Sequence, residues 1–228
     1  MHLDFLRRSA GLPRRYSWLN GTRCRRTGQG HRIAFHNARL FDTSIEISGR
    51  DCELVISPGA RLWGCTLKVA GNGARLHIGA DCRLRHTTII VEDDASRLLI
   101  GDQTTMIGPT LLSQEGRLIQ VGYDCLIAKD TELRNSDSHT ILDSASGHRL
   151  NPPADVIIGD HVWLGLGCYI LKGTRIGAGT IVAARSLVTG ELPAGCLALG
   201  SPTKPVRGGI HWKHTRASIR AVQLALPR

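Results

Sequence analysis

Histidine and cysteine are the residue types of this 228-residue chain best suited to proton transfer, metal binding or nucleophilic attack, and it holds ten of the first and seven of the second. One histidine is set apart by its surroundings. His139 lies in RNSDSHTI (residues 134–141), two positions after Asp137, and directly after it a regular repeat is interrupted for about twenty residues. An imidazole there could take up and return a proton near neutral pH, with Asp137 orienting the ring or hydrogen-bonding a substrate hydroxyl. A lone histidine is more often structural, so the interruption, which leaves space for a ligand, carries the reading. The other histidines lack that context: His148 falls inside the interruption, His161 points outward from the repeat, and His211 and His214 lie near the end. Solvated or locally bonded rings are expected at those positions. Trp163 sits one position before an inward Leu164, so its indole should project outward, and a large exposed indole marks a binding surface.

The elements that must position these residues are written in sixes. Ile158, Leu164, Ile170, Ile176, Val182 and Val188 recur every sixth position, a period that fits neither an α-helix nor a hairpin stack. Four residues after each of the first five comes a compact residue: Val162, Cys168, Thr174, Thr180 and Ser186. Upstream the same phase appears in pairs starting at Ile56, Ile78, Ile100 and Val121, with Ala60, Thr66, Cys82, Thr88, Thr104, Thr110, Cys125 and Thr131 as the compact inward residues. Those starts are 22, 22 and 21 residues apart, so each turn is three short strands plus a small insertion, with AGNGA, EDDAS and SQEGR at corners. The expectation is one all-β solenoid over residues 45–192 with an excursion loop at 140–156, a basic N-terminal segment at 1–44 and a C-terminal extension at 193–228. The stretch HTRASIRAVQLAL is a weakly periodic candidate for a terminal helix. Cys82, Cys125 and Cys168 take the compact inward slot, so buried packing thiols are expected rather than reactive ones.

Composition agrees with many thin layers: 4% aromatic residues, 26 glycines and 42% hydrophobic residues. The net charge of +10 belongs to the ends. Residues 1–30 hold seven arginines against Asp4, residues 201–228 hold six Lys/Arg and no acid, and 10 − 6 − 6 leaves about −2 for the middle. Such ends suit an acidic lipid or polysaccharide as well as plain solubility. No nucleic-acid-binding motif accompanies them, and nucleic acid is not an expected partner. The start has no apolar run of signal-peptide length, and no run approaches the roughly 18 residues needed to span a bilayer. A cytoplasmic protein is expected, with peripheral association at an inner membrane as an option for its tails.

The run IIGDHVWLGLGCYILKGTRIGAGTIVAARSLVTGELPAG followed by GSPTKPVR resembles the hexapeptide-repeat acyltransferases, and SDSHTI with HRLNPPADVIIGDHVWLG is similar to the branch that O-acetylates capsular and exopolysaccharide sugars. The resemblance implies a left-handed parallel β-helix, a homotrimer, acetyl-CoA as co-substrate lying between subunits, and a saccharide or polysaccharide acceptor. It implies that His139 is the general base, that Trp163 lines the acceptor and thioester tunnel, and that the loop after His139 covers a neighbouring subunit's site. It implies further that the pantetheine arm runs near Gly165, Ala183 and Ala184, with Arg185, Lys204 and Arg207 toward the nucleotide phosphates. The match is imperfect: Gly200-Ser201-Pro202-Thr203-Lys204 stands where the family has Gly-x-Pro-Ala-Lys, and VAARS replaces a glycine-rich turn. The resemblance leaves two rivals. One is N-acetylation of an amino sugar or sugar nucleotide, and the other is a non-catalytic scaffold or polymer-binding coil. No metal is expected, because the three-histidine zinc site of the γ-type carbonic anhydrases needs a pair five apart, which His148 and His161 do not supply.

Overall fold

In a computed structural model, which describes residues 19–215, the chain alternates short strands and tight corners throughout. Successive strands fall in turn on three sheets, here called faces A, B and C, so the coil is a triangular prism of about eight parallel turns. Face A starts at Leu19–Asn20, face B at Arg23–Arg26 and face C at Arg32–Phe35. All described strand pairs are parallel except the last. No helix occurs among the described residues, and none there could cross a membrane. The terminal helix considered above lies almost wholly outside those residues.

Side chains alternate in and out along each strand, and register stacks the inward ones into columns. On face A, Leu40, Leu62, Leu84, Met106, Ile127, Leu164, Val182 and Ala198 lie directly above one another, each completely buried. Each large aliphatic burial contributes roughly 1.5–3 kcal/mol, so the columns, not the two-residue strands, hold the coil together. All seven cysteines are buried and unpaired. Burial pushes the thiols of Cys82 and Cys125 up to about 12 and about 11, which keeps them protonated and inert.

Three details depart from the sequence reading. The stacked coil reaches back to Leu19, because Arg23–Arg26 pairs with Ser44–Arg50 and Arg32–Phe35 with Glu53–Ile56. Phe35 fills the inward slot that an aliphatic residue takes elsewhere, which hid this turn from an aliphatic count. Thr66, Thr88 and Thr110 are not inward; Cys65, Thr87 and Pro109 are, since that corner is one residue shorter in the upstream turns. At the other end Cys196–Gly200 continues face A with Cys196 and Ala198 inward, and Thr203–Gly208 folds back on it antiparallel.

The coil keeps its register across the excursion. Ile119, Gln120 and Val121 pair with Val156, Ile157 and Ile158, although Val121 and Ile158 are 37 residues apart and the next turn, Ile158 to Ile176, takes 18. The excursion therefore adds 37 − 18 = 19 residues at the corner between faces B and C without disturbing the stack.

Candidate active site

His139 follows the face-B strand Glu132–Arg134 and is exposed at the B–C corner. The backbone there is fixed by its neighbours. Ser138 adopts φ 61°, its N–H donates to Ser136 Oγ at 2.9 Å, and its own hydroxyl donates to Gln114 Oε1 at 2.7 Å. Asn151, nearly buried, closes the loop: its Oδ1 accepts from Ile141 N–H at 2.7 Å, and its Nδ2 donates to the His139 carbonyl and to Asp137 Oδ2, both at 2.8 Å. Asp137 also accepts from Lys172, on the B–C corner of the next turn, and these two donors hold its carboxyl below the usual carboxylate range. Among the described residues, the His139 ring makes no hydrogen bond. Its position is thus held through the main chain while both ring nitrogens stay available.

The loop tip is a small hairpin in which Leu142 bridges Arg149. Arg149 forms a two-pronged ion pair with Glu115 of the preceding turn, and Ser136 donates to the same carboxylate. Arg149 first, then Ser136, lower the Glu115 carboxyl from about 4.5 to about 2. A depressed carboxylate stabilises only where it is ionised, so this clamp is fully present above about pH 4.5 and is lost as pH falls through about 2. Limited proteolysis checks this: the wild-type loop should resist cleavage at neutral pH, whereas Glu115→Gln should be cut within 140–150 several-fold faster at that pH. Equal rates would remove the clamp. Asn151 and Glu115 escaped the sequence reading because neither carries a motif; Asn151 lies inside the interruption, and Glu115 sits at a corner one turn earlier.

Trp163 lies on face A, outward and 38% exposed. The residues matched to the pantetheine path cluster with it at the A–B corner. Gly165 lies beneath Ala183 and Ala184 of the next turn, and Arg185 projects exposed from the same corner. A Cβ on Gly165 would approach the Ala184 nitrogen to 2.6 Å, so close stacking of coils already demands glycine there. Lys204 and Arg207 are exposed on the antiparallel edge strand, opposite Leu199 and Leu197. One chain therefore joins Trp163, Gly165, Ala183, Ala184 and Arg185 on one side of the prism, with Lys204 and Arg207 at its upper edge. Asp137 and His139 stand apart from them, at the corner that faces away from face A.

The C-terminal residues return over the coil beside Trp163. Trp212 is almost completely buried, stacks on His161 with centroids 4.1 Å apart and tilts against Trp163 at 5.9 Å. Its indole N–H donates to the His161 carbonyl at 2.8 Å, and His161 Nε2 is 3.1 Å from the Trp212 carbonyl. His161 Nδ1 and His214 Nε2 lie 2.7 and 3.0 Å from separate oxygens of Asp124. These three residues offer donor atoms within 4.8 Å of one another, as a metal site would, but the carboxylate oxygens are already satisfied by the rings. His161 and His214 are thus locally bonded, and Trp212 joins Trp163 in one aromatic wall that no sequence pattern signalled.

Residues 155–190 match the family described as bacterial transferase hexapeptide (six repeats), whose coils are left-handed parallel β-helices. The chain is 37% identical over 97 residues to a polysialic acid O-acetyltransferase of Escherichia coli O1:K1, covering 42% of this chain and 32% of that protein. It is 46% identical over 72 residues to a polysialic acid O-acetyltransferase of Neisseria meningitidis, covering 31% and 33%. It thus spans about one third of the length of these curated relatives. The crystal structure of the polySia-specific acetyltransferase NeuO superposes with TM-score 0.77 at 28% identity, covering 87% of this chain and 92% of that one.

Proposed function

We propose that this hexapeptide-repeat protein is an acetyl-CoA-dependent O-acetyltransferase acting on a hydroxyl of a polysaccharide, in a site shared between subunits of a homotrimer. One observation carries the reading: the coil runs in register across the excursion, so the 19 added residues serve His139 and its loop rather than the fold. The likeness to polysialic acid O-acetyltransferases supports the acceptor class.

The residues fit acetyl-CoA. Small Gly165, Ala183 and Ala184 leave backbone open to a thin extended arm, and Arg185, Lys204 and Arg207 are exposed cations able to donate charge-assisted hydrogen bonds to phosphate oxygens. When bound, acetyl-CoA supplies an electrophilic thioester carbonyl. His139 removes the proton from the acceptor hydroxyl as that oxygen bonds to the acyl carbon, and returns it to the sulfur as the carbon–sulfur bond breaks. Asp137 acts on the ring through position: with Lys172 and Asn151 it fixes the main chain that carries His139. Trp163 and Trp212 exclude water from the thioester side. Since His139 and Trp163 lie on opposite sides of one prism, a neighbouring subunit brings them together. Exposed Ile141, Leu142 and Leu150 on the loop supply an apolar surface for that neighbour.

The test is thiol release from acetyl-CoA against acidic and neutral oligosaccharides, with amino sugars included. Ester formation on an acidic glycan is the expected result. Amide formation on an amino sugar would replace O-acetylation with N-acetylation, and failure to bind acetyl-CoA would leave a scaffold.

A further inference from the structure

Face A carries a column of arginines in register with Trp163, and we infer that it is a binding track for an acidic polysaccharide. Arg39, Arg61 and Arg83 stack on adjacent strands, and the same column continues through Thr105 and Leu126 to Trp163. The rungs are separated by the strand spacing, about 4.8 Å, so Arg83 lies roughly 14 Å from Trp163 along a continuous surface. Beside them run Phe41, Trp63 and Arg85. The Phe41 and Trp63 rings are 5.5 Å apart, and Trp63 is 53% exposed.

Like charges on neighbouring strands repel, so an arginine column is unfavourable unless something compensates it. Elsewhere the coil supplies that compensation in part: on face C, Arg32 pairs with Glu53 at 2.8 Å, and on face B, Lys68 pairs with Glu92 at 3.0 Å, while Arg75 and Arg97 stack on face C without an acid between them. Among the described residues, Arg39, Arg61, Arg83 and Arg85 form no ion pair. They line a groove of about 420 Å³ with Phe41 and Trp63, and no acidic side chain contributes to it. A second hollow, about 390 Å³, continues from Arg61 and Arg83 past Thr105 to His214, with Asp81 and Asp124 on its corner side.

Guanidinium forks pair with carboxylates, and exposed indole packs on the apolar face of a sugar ring. A polymer with one carboxylate per sugar satisfies both demands, whereas the two aspartates flanking the track repel a more densely charged strand. The net −2 of the central residues thus conceals a local column of arginines without ion pairs on the face that carries Trp163. This inference deepens the proposed function and rests on it for the direction of the chain toward Trp163.

The experiment is fluorescence anisotropy with labelled polysialic acid and polygalacturonate on the full-length protein, with dextran as neutral control and single-stranded DNA as competing polyanion. The Arg39→Gln/Arg61→Gln/Arg83→Gln variant should bind both acidic glycans about tenfold or more weakly with a shallower salt dependence, and the matching Lys variant should retain most of the affinity. Trp63→Ala, a single change on an exposed side chain, should weaken binding on its own if the triple variant does not fold. Unchanged glycan binding in the triple variant, or DNA binding tighter than either glycan, would overturn the track. Tight glycan binding without acetyl transfer would defeat the proposed activity and leave the track standing.

Discussion

His139→Ala should lower the rate of acetyl transfer by about 10²- to 10⁴-fold, the range that a general base contributes, while acetyl-CoA affinity stays within about twofold. The two readouts separate because of what each group does. His139 of one subunit acts on the acceptor proton, whereas the contacts proposed for acetyl-CoA belong to Gly165, Ala183, Ala184 and Arg185 at the A–B corner of a neighbour. The His139 ring contributes no hydrogen bond among the described residues, so the substitution removes proton transfer without loosening the loop. The loop is held by Asn151 through the main-chain carbonyl of residue 139, which alanine keeps. The pH–rate profile should lose the limb that reports the base. Activity equal to wild type would move proton transfer to another group, and parallel loss of acetyl-CoA affinity would make His139 a binding residue.

Gly165→Ala should cost about 1–3 kcal/mol of stability and lower Tm by about 2–12 °C, with acetyl-CoA binding weakened as well. The added methyl would lie 2.6 Å from the Ala184 nitrogen and 3.0 Å from the Ala183 carbonyl carbon, both main-chain atoms that move only if the next coil moves. A glycine kept solely for close approach of the pantetheine arm would behave differently: Tm would hold while the acetyl-CoA KM rose. Thermal unfolding monitored alongside acetyl-CoA titration distinguishes the two.

The fold was legible because its period is short and its inward residues are nearly all aliphatic. Ile158, Leu164, Ile170, Ile176, Val182 and Val188 are all buried at the spacing read from the sequence. Reading failed where the corner length changed by one residue, at Thr66, Thr88 and Thr110, and where Phe35 replaced an aliphatic. His139 and Trp163 were legible as a break in the repeat and an outward indole. Their supports were not. Asn151, Glu115 and Lys172 reach the His139 segment from other turns or across the loop, at separations of 12 to 35 residues that no local pattern encodes. Trp212 and His214 meet His161 and Asp124 only because the chain doubles back after its edge strand. The arginine column is invisible to a net-charge count, since it appears only when residues 22 apart are stacked.

In the proposed function, acetyl transfer occurs in a site built from His139 of one subunit and Trp163 of a neighbour. Mixing is its most direct test. His139→Ala and Trp163→Ala proteins, each nearly inactive alone, would be unfolded together in equal amounts, refolded and assayed for thiol release from acetyl-CoA with an acidic oligosaccharide. In a closed trimer with heterologous contacts, about one quarter of the sites then combine an intact His139 with an intact Trp163, so activity should return to about a quarter of wild type. If both residues served the same site from one chain, no mixed trimer would hold an intact site, and activity that stayed at the level of the separate variants would contradict the shared site.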